Sequence, residues 1–294
     1  MADESLRYNS AMTHSRFPCT QTDKYEQFKK LHMQPGLFVI PNPWDAGSAR
    51  ILTALGFEAL ATTSAGLAFS LGRRDMGGGL TRSHVLENAR AIVEATHLPV
   101  SADLQNGFGS GPDECAATIR LASETGLAGG SIEDSTGDPS KPIYDFEHAV
   151  ERVRAATETA RSLQFVLTAR AENFLWGRPD LDDTIRRLTA FSSAGADVLY
   201  APGLPDLDSI RAVCSSVDKP LNVVIGLRGA PLTLDQLREA GVKRVSVGGS
   251  FARAALGGLV RAAREVKEHG TFTYASDALS HADASAFMRT VDQN

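Results

Sequence analysis

Short apolar segments alternate with amphipathic segments along most of the chain, and this alternation is its most regular feature. Segments of four to six apolar residues predict eight buried strands, at 37–40, 58–62, 98–103, 127–132, 165–170, 197–201, 221–225 and 244–247. Apolar positions spaced three or four apart predict eight helices, at 46–55, 81–95, 112–125, 145–162, 181–194, 207–215, 232–240 and 251–268. Strict strand–helix alternation predicts an α/β protein of the (β/α)8 TIM-type barrel class, and an open doubly wound sheet is the alternative.

Both ends of the chain depart from this pattern. Residues 1–24 are polar and aperiodic, so we expect a flexible N-terminal extension. A short amphipathic segment at 25–32 predicts a helix that closes the bottom of a barrel domain spanning 25–270. The C-terminal tail, 271–294, contains one more helical segment at 276–290.

Composition excludes several classes of function. With 294 residues, 43% hydrophobic and 22% charged, the chain has the composition of a soluble globular protein. The net charge is −5 without a basic stripe, which argues against nucleic-acid binding, and no apolar run approaches the roughly 20 residues of a membrane helix. Cys19, Cys115 and Cys214 lack the spacing of a zinc site or a disulfide framework, so we expect a cytoplasmic protein.

The segment SADLQNGFG at 101–109 concentrates the features of an active site. It predicts a strand that ends in Asp103 and continues into a turn made sharp by Gly107 and Gly109. An acidic residue at the carboxyl end of a strand in an α/β protein is typical of catalysis. The alternative is that Asp103 only caps the next helix.

Further acidic residues stand near other strand ends. Glu133 ends the fourth predicted strand and Asp75 lies in the loop after the second, so with Asp103 they predict an oxygen-rich cluster suited to Mg²⁺, with Mn²⁺ as a second candidate. Histidine and cysteine are missing from these positions, which argues against zinc. Glu133 and Asp134 could alternatively begin a helix.

Groups that would bind a substrate stand at the remaining strand ends. Arg170 ends the fifth strand and suits a carboxylate or phosphate, although it could instead be a structural partner of Glu133. The turn formed by Ser64, Ala65 and Gly66 offers backbone N–H groups to an oxyanion. We also predict contacts from Asn222 on the seventh strand and from Trp44, which either forms a wall of the site or packs structurally.

These motifs together resemble the isocitrate lyase / phosphoenolpyruvate mutase superfamily, over nearly all of residues 25–270. The residues that carry the resemblance are PNPWDA at 41–46, TSAG at 63–66, DLQNGFG at 103–109, IED at 132–134 and AR at 169–170. The resemblance implies a (β/α)8 barrel whose eighth helix is exchanged between subunits, in homodimers that pair into homotetramers. It also implies a Mg²⁺ site that binds a small anionic keto or hydroxy acid, and chemistry at a C–C or P–C bond next to an enolate.

The resemblance also implies individual roles. Asp103 matches the direct metal ligand, while Asp75, Gln105 and Glu133 match the residues that hold the water molecules of the metal. Ser64, Ala65 and Gly66 match the amides that hold the enolate oxygen and carboxylate. Trp44 matches a wall of the site, and Arg170 matches the carboxylate clamp.

Two departures separate this chain from ordinary members. Gln105 replaces the second acid of the D-x-D/E-x-G-[YF]-G segment, which removes one negative charge from the metal site. The lyases carry a Lys-Lys-Cys-Gly-His loop after the Glu-Asp pair, and the mutases carry an asparagine there; residues 135–144 contain neither. This segment instead offers Asp138, Lys141 and Tyr144 as candidate proton donors.

The sequence therefore favours a Mg²⁺-dependent carbon–carbon lyase or decarboxylase that acts on a small 2-hydroxy or 2-keto dicarboxylate through a metal-stabilised, pyruvate-type enolate. A phosphonomutase that forms or rearranges a P–C bond is the first alternative. A barrel that binds a keto acid without turning it over is the second.

Overall fold

The computed structural model describes residues 20–75, 79–226 and 231–289, which form one parallel barrel. Its eight strands are β1 (Phe38–Ile40), β2 (Leu60–Ala61), β3 (Val100–Asp103), β4 (Gly129–Glu133), β5 (Val166–Arg170), β6 (Val198–Tyr200), β7 (Leu221–Val224) and β8 (Arg244–Ser246). Neighbours pair in the order β1-β8-β7-β6-β5-β4-β3-β2, and the N–H of Ala61 donates to the carbonyl of Pro41 across the remaining gap. The (β/α)8 prediction is confirmed, and the open-sheet alternative is wrong.

Helices follow the strands in turn. Their bounds are α1 (Gln21–Met33), α2 (Ala46–Ala54), α3 (Ser64–Ser70), α4 (Arg82–Glu94), α5 (Pro112–Ser123), α6 (Phe146–Ser162), α7 (Leu181–Ser193), α8 (Leu207–Ser216), α9 (Leu234–Glu239), α10 (Ser250–His269) and α11 (His281–Phe287). A 3-10 helix at Thr273–Ser276 precedes α11, so the tail is two short pieces rather than the one predicted helix. Residues 1–19 and 290–294, which belong to the predicted extension and tail, lie outside the described residues.

Two helix starts differ from the sequence prediction for the same reason. Helix α1 begins four residues earlier than expected because Thr20 and Asp23 form a reciprocal capping box. The segment predicted as a turn at Ser64, Ala65 and Gly66 instead begins helix α3, because the side chain of Thr63 accepts from the N–H of Gly66 and caps a helix. Capping hydrogen bonds, rather than the apolar pattern, set these boundaries.

Helix α1 closes the amino-terminal end of the barrel, as predicted. Phe28 and Leu31 are buried against the first residues of several strands, including Phe38, Val166 and Val198. The opposite end of the barrel, where the strands finish, is left open for a site.

Helix α10 differs from the other long helices because it is mostly exposed. Ala252 is its one buried residue. Its exposed apolar side chains are Phe251, Leu256, Leu259, Val260 and Val266. Within the described residues, no helix combines the length and the apolar character that crossing a membrane requires.

Candidate active site

A cavity of about 1070 Å³ opens at the carboxyl ends of the strands, and we call it the site cavity. Most of the side chains predicted from the sequence line it, namely Ser64, Ala65, Asp75, Asp103, Gln105, Glu133, Arg170 and Asn222. Trp44 and Gly66 are not among its lining residues. The barrel therefore brings together groups that are distant in sequence, because parallel strands finish at one end.

Arg170 is the centre of the site. Its Nη1 lies 3.2 Å from Oδ1 of Asp103 and 2.9 Å from Oε1 of Glu133, and its Nε donates to Oε1 of Glu172 at 2.8 Å. The guanidinium also lies over the ring of Tyr200, 4.7 Å from the centroid. We call Asp103, Glu133, Glu172 and Arg170 the carboxylate cluster.

Strand register explains this arrangement. Glu133 on β4 is directly opposite Arg170 on β5, and Asp103 on β3 is paired with Ser131 of β4. Glu172 was not predicted as a site residue, although its position two residues after Arg170 is a signal, because alternate residues of an extended chain share a face. The strands, rather than flexible loops, therefore position most of the cluster.

Burial of this cluster changes its proton affinities. The pKa of Glu133 is raised to about 8, mainly because the carboxyl is buried, and the Arg170 charge opposes this rise. Burial likewise raises the pKa of Glu172 to about 7. Against its own desolvation, the surrounding carboxylates hold the pKa of Arg170 well above its usual value, so Arg170 is a permanent cation here.

Asp103 is oriented by backbone and side-chain contacts around the top of β3. Its N–H donates to Oγ1 of Thr62 at 2.9 Å, and its Oδ2 accepts from the N–H of Ser64 at 3.2 Å. Its Oδ1 accepts from the N–H of Gln105 at 3.2 Å. These contacts hold the carboxylate in the cavity, so Asp103 is not a cap of the next helix: Gly111 occupies that position.

The segment after Asp103 takes an unusual backbone path. Gln105 and Phe108 have φ of 50° and 59°, values uncommon for residues other than glycine. Gly107 has φ of 82°, and a Cβ there would lie 2.9 Å from Sγ of Cys115, so this position requires glycine. Two strained residues beside a lining carboxylate are typical of a functional loop.

Arg152 supports this loop from below. It is the largest fully buried side chain among the described residues, and it donates to the carbonyls of Asn106, Gly109 and Gly111. Its guanidinium also lies 4.2 Å from the ring centroid of Tyr144. Arg152 thus joins the loop after β3 to the segment after β4.

Asp134 has a structural role that distinguishes it from Glu133. Its Oδ1 accepts from the N–H of Glu172 at 2.8 Å, and its Oδ2 forms a 3.0 Å ion pair with Arg187. It is buried outside the lining of the cavity. The two residues of the Glu-Asp pair therefore have different roles: Glu133 lines the cavity, and Asp134 fixes the loop that carries Glu172.

The remaining predicted binding groups are partly engaged within the protein. The N–H of Gly66 donates to the cap residue Thr63, and the N–H of Ser64 donates to Asp103. The Asn222 amide donates to Oγ of Ser246 at 3.0 Å and accepts from Nε of Arg244 at 2.8 Å. Asn222 thus lines the cavity with its side chain held on both sides.

Asn42 explains part of the PNPWDA motif. Its amide nitrogen donates to the carbonyl of Thr62, and its oxygen accepts from the N–H groups of Val247 and Gly248. It therefore ties the top of β1 to the segments after β2 and β8. Trp44, from the same motif, is not among the lining residues, and its Cβ would lie 2.8 Å from a Cβ added at position 66.

The three candidate proton donors, Asp138, Lys141 and Tyr144, lie in different environments. Asp138 is exposed and accepts from Ser140 within its own turn, and Lys141 pairs with Asp145 at 2.7 Å. Tyr144 alone of the three lines the site cavity. Burial raises the pKa of the Tyr144 phenol, so it stays protonated near neutral pH.

The lining contains oxygen donors for a metal but no closed protein cage. Within the described ranges, no group of three or more His, Cys, Asp or Glu side chains is arranged to hold a metal ion by itself. The acidic lining residues are Asp75, Asp103, Glu133 and Glu172. Such a lining differs from the dedicated tetrahedral sites of structural zinc.

Comparison with known proteins agrees with this geometry. The chain is 55% identical to a Burkholderia cenocepacia J2315 protein provisionally described as a lyase/mutase; the match covers 92% of this chain and 97% of the other, with a TM-score of 0.89. It is 33% identical to 2-methylisocitrate lyase of Escherichia coli K12, over 67% of this chain and 69% of the relative. It is 25% identical to a 2,3-dimethylmalate lyase structure, over 91% and 93% of the two chains, with a TM-score of 0.79.

The family model of phosphoenolpyruvate phosphomutase matches residues 28–267, which is most of the chain. This range includes all four residues of the carboxylate cluster. The homologues named above are lyases of the isocitrate lyase / phosphoenolpyruvate mutase superfamily or are provisionally assigned between lyase and mutase. The chain belongs to the phosphoenolpyruvate phosphomutase family of enzymes.

Proposed function

We propose that the protein is a Mg²⁺-dependent lyase or decarboxylase that cleaves a C–C bond of a small 2-hydroxy or 2-keto dicarboxylate through an enolate. The observation that carries this proposal is the carboxylate cluster at the ends of β3, β4 and β5. There Arg170, a permanent cation, shares one cavity with the carboxylates of Asp103, Glu133 and Glu172.

The donor set fits a hard divalent cation. Three carboxylates share one guanidinium, and burial favours the neutral form of Glu133 and Glu172, so a cation bound here would stabilise their ionised form. Asp103 would be the direct ligand, and Asp75, Gln105 and Glu133 would hold its water molecules, as Mg²⁺ keeps several waters and needs few protein ligands. When bound, Mg²⁺ supplies the Lewis-acid charge that favours an anionic substrate oxygen, and Mn²⁺ would serve similarly.

The protein groups would bind and orient the substrate. Arg170 has a fork of donors that suits a substrate carboxylate, while Glu172 holds its Nε edge in place. Ser64 and Ala65 line the cavity, and their backbone N–H groups would bind a substrate oxyanion, with that of Ser64 also donating to Asp103. These contacts would hold the bond to be cleaved in one orientation, so that electrons flow toward the enolate oxygen.

Proton transfer limits the choice of reaction. The segment 135–144 contains no cysteine or histidine, and Tyr144 is the candidate from this segment that lines the cavity. A decarboxylation needs no protein base to begin, because loss of CO₂ leaves the electron pair on the enolate. A phenol that stays protonated would then complete the cycle by protonating the enolate carbon.

The test is an assay for released pyruvate or related keto acid. The purified protein receives Mg²⁺ and one of oxaloacetate, 2-methylisocitrate, dimethylmalate or other substituted malates. We expect metal-dependent turnover of one class, lost in Asp103→Ala and retained in Asp113→Ala, an exposed acid on α5. Turnover that persists in Asp103→Ala would contradict the assigned metal role.

The phosphonate alternative has support from the description of the matching family as phosphoenolpyruvate phosphomutase. Phosphorus NMR of the protein with Mg²⁺ and phosphonopyruvate would reveal P–C bond rearrangement. Rearrangement without activity on the malate panel would favour a phosphonomutase. Oxalate binding without any turnover would favour a non-catalytic keto-acid-binding barrel.

A further inference from the structure

Four arginines line the site cavity, and they differ in their partners. Arg170 is bound by the carboxylate cluster, whereas within the described residues no carboxylate forms an ion pair with Arg74, Arg82 or Arg244. Arg244 is buried at the start of β8, and its donors meet neutral acceptors, including Asn222 and Thr168. Arg74 and Arg82 therefore line the cavity as cations that no carboxylate of the described residues neutralises.

Topology places Arg82 at the mouth of the cavity. It is the first residue of α4, and α4 returns the chain from the carboxyl end of the barrel toward the start of β3. Its guanidinium reaches the loop after β3, where Nη2 lies 3.5 Å from the carbonyl oxygen of Gly107. Asp103 ends β3 just before that loop. Arg82 belongs to the connection between β2 and β3, whereas Glu133 and Arg170 end β4 and β5 on the other side of β3.

The donors of Arg82 are mostly unused. The 3.5 Å contact with Gly107 is at the limit of a hydrogen bond, and Nε is buried without a hydrogen-bond partner within the described ranges. Buried polar groups normally have partners, so the unpartnered Nε and the long Gly107 contact leave this cavity-lining guanidinium without a full set of acceptors. A guanidinium presents two parallel donors that match a carboxylate or a phosphonate.

We propose that Arg82 binds a second anionic group of the substrate, at the end remote from the enolate, with Arg74 adding charge at the same rim. This assignment rests on the proposed function, which puts the enolate end at Asp103 and Arg170. It restricts the substrate class to keto or hydroxy acids that carry another carboxylate or a phosphonate. A monofunctional keto acid would leave Arg82 unsatisfied.

The experiment compares ligands that differ in length, using titration calorimetry in the presence of Mg²⁺. Oxalate represents the enolate end alone, difluoro-oxaloacetate adds a remote carboxylate, and phosphonopyruvate adds a remote phosphonate. We expect Arg82→Gln to weaken one longer ligand about tenfold or more and to leave oxalate affinity within about twofold. Arg90→Gln, at an exposed arginine on the same helix, is the matched control and should change neither the affinity for oxalate nor that for the longer ligands.

The outcomes separate this assignment from the proposed function. An equal loss of affinity for oxalate and for the longer ligands would overturn the assignment, because Arg82 would then act by holding the Gly107 loop. An unchanged affinity for both longer ligands would overturn it as well. A wild-type protein that binds none of the three would overturn the proposed function and this assignment together. The longer ligand that responds to the substitution identifies the remote group.

Discussion

Glu172 accepts from Nε of Arg170 at 2.8 Å and leaves Nη1 of the same guanidinium facing Asp103 and Glu133. One edge of the arginine is thus fixed by a fully buried carboxylate, while another faces the cavity. The strand supplies this geometry, because residues two apart project to the same side of an extended chain.

We expect Glu172→Ala to lower turnover of the identified substrate roughly ten- to a hundredfold, since loss of a supporting contact typically has that effect on a site. Glu172→Gln keeps an oxygen that accepts from Nε, so it should recover part of the loss. Steady-state kinetics would separate the effects on kcat and KM. Equal losses in both variants would mean that charge, rather than the hydrogen bond, is what Glu172 provides. Glu151→Ala, at an exposed acid, is the control.

The assignment of Tyr144 predicts a selective loss. Tyr144→Phe removes the phenolic hydroxyl but keeps the ring that Arg152 contacts. We expect kcat to fall about a hundredfold or more, as for other general acids, with oxalate affinity unchanged. Tyr25→Phe, which changes a tyrosine outside the cavity lining, should have wild-type kinetics. An unchanged kcat in Tyr144→Phe would exclude the phenol as the proton donor.

His32 should make the stability of the protein depend on pH. Its Nδ1 is 2.8 Å from the carbonyl of Phe28 and its other ring nitrogen is 3.2 Å from Nη1 of Arg244, an arrangement that requires a neutral ring. Burial, reinforced by the Arg244 charge, lowers the pKa of His32 to about 3 from an ordinary 6.5.

The direction of this dependence follows from proton binding. Between these two pKa values the unfolded chain binds a proton that the folded chain does not, so the His32 contribution is present above pH 6.5 and is lost as the pH falls. It should lower the free energy of unfolding by about 2 kcal/mol between pH 8 and pH 5. Urea unfolding of wild type and His32→Gln should show a smaller pH slope in the variant. His269→Gln, at an exposed histidine, should keep the wild-type slope.

The exposed apolar face of α10 predicts self-association. Leu259 is 65% exposed, and it shares the helix with other exposed apolar residues, among them Val260 and Val266. Because contiguous apolar surface on a protein typically marks an interface, we expect a homodimer or homotetramer in solution.

Sedimentation analysis tests this expectation. Leu259→Glu should shift the protein toward smaller species, whereas Leu121→Glu, at an exposed leucine of α5, should not. A wild-type monomer at micromolar concentration would contradict the prediction. Dissociation that also removes activity would indicate that the site needs the assembled form.

The amino-acid sequence by itself determined the order of strands and helices, since buried strands and amphipathic helices impose different periods on apolar residues. It also determined that acids and an arginine stand at strand ends, because Asp103, Glu133 and Arg170 each follow an apolar run. What it could not determine is which side chain faces which. Glu133 and Asp134 are adjacent and chemically alike, and only the pairing of strands decides that one lines the cavity and the other holds Arg187.

Tertiary structure also decided the roles of residues whose chemistry allows several. Trp44 lies outside the cavity lining, Glu172 joins the carboxylate cluster, and Arg82 lines the cavity from a helix that precedes β3. These outcomes depend on contacts between segments far apart in sequence, and no local pattern encodes such distances. The sequence specifies the elements and the available chemistry, whereas closure of the barrel selects which of those groups meet.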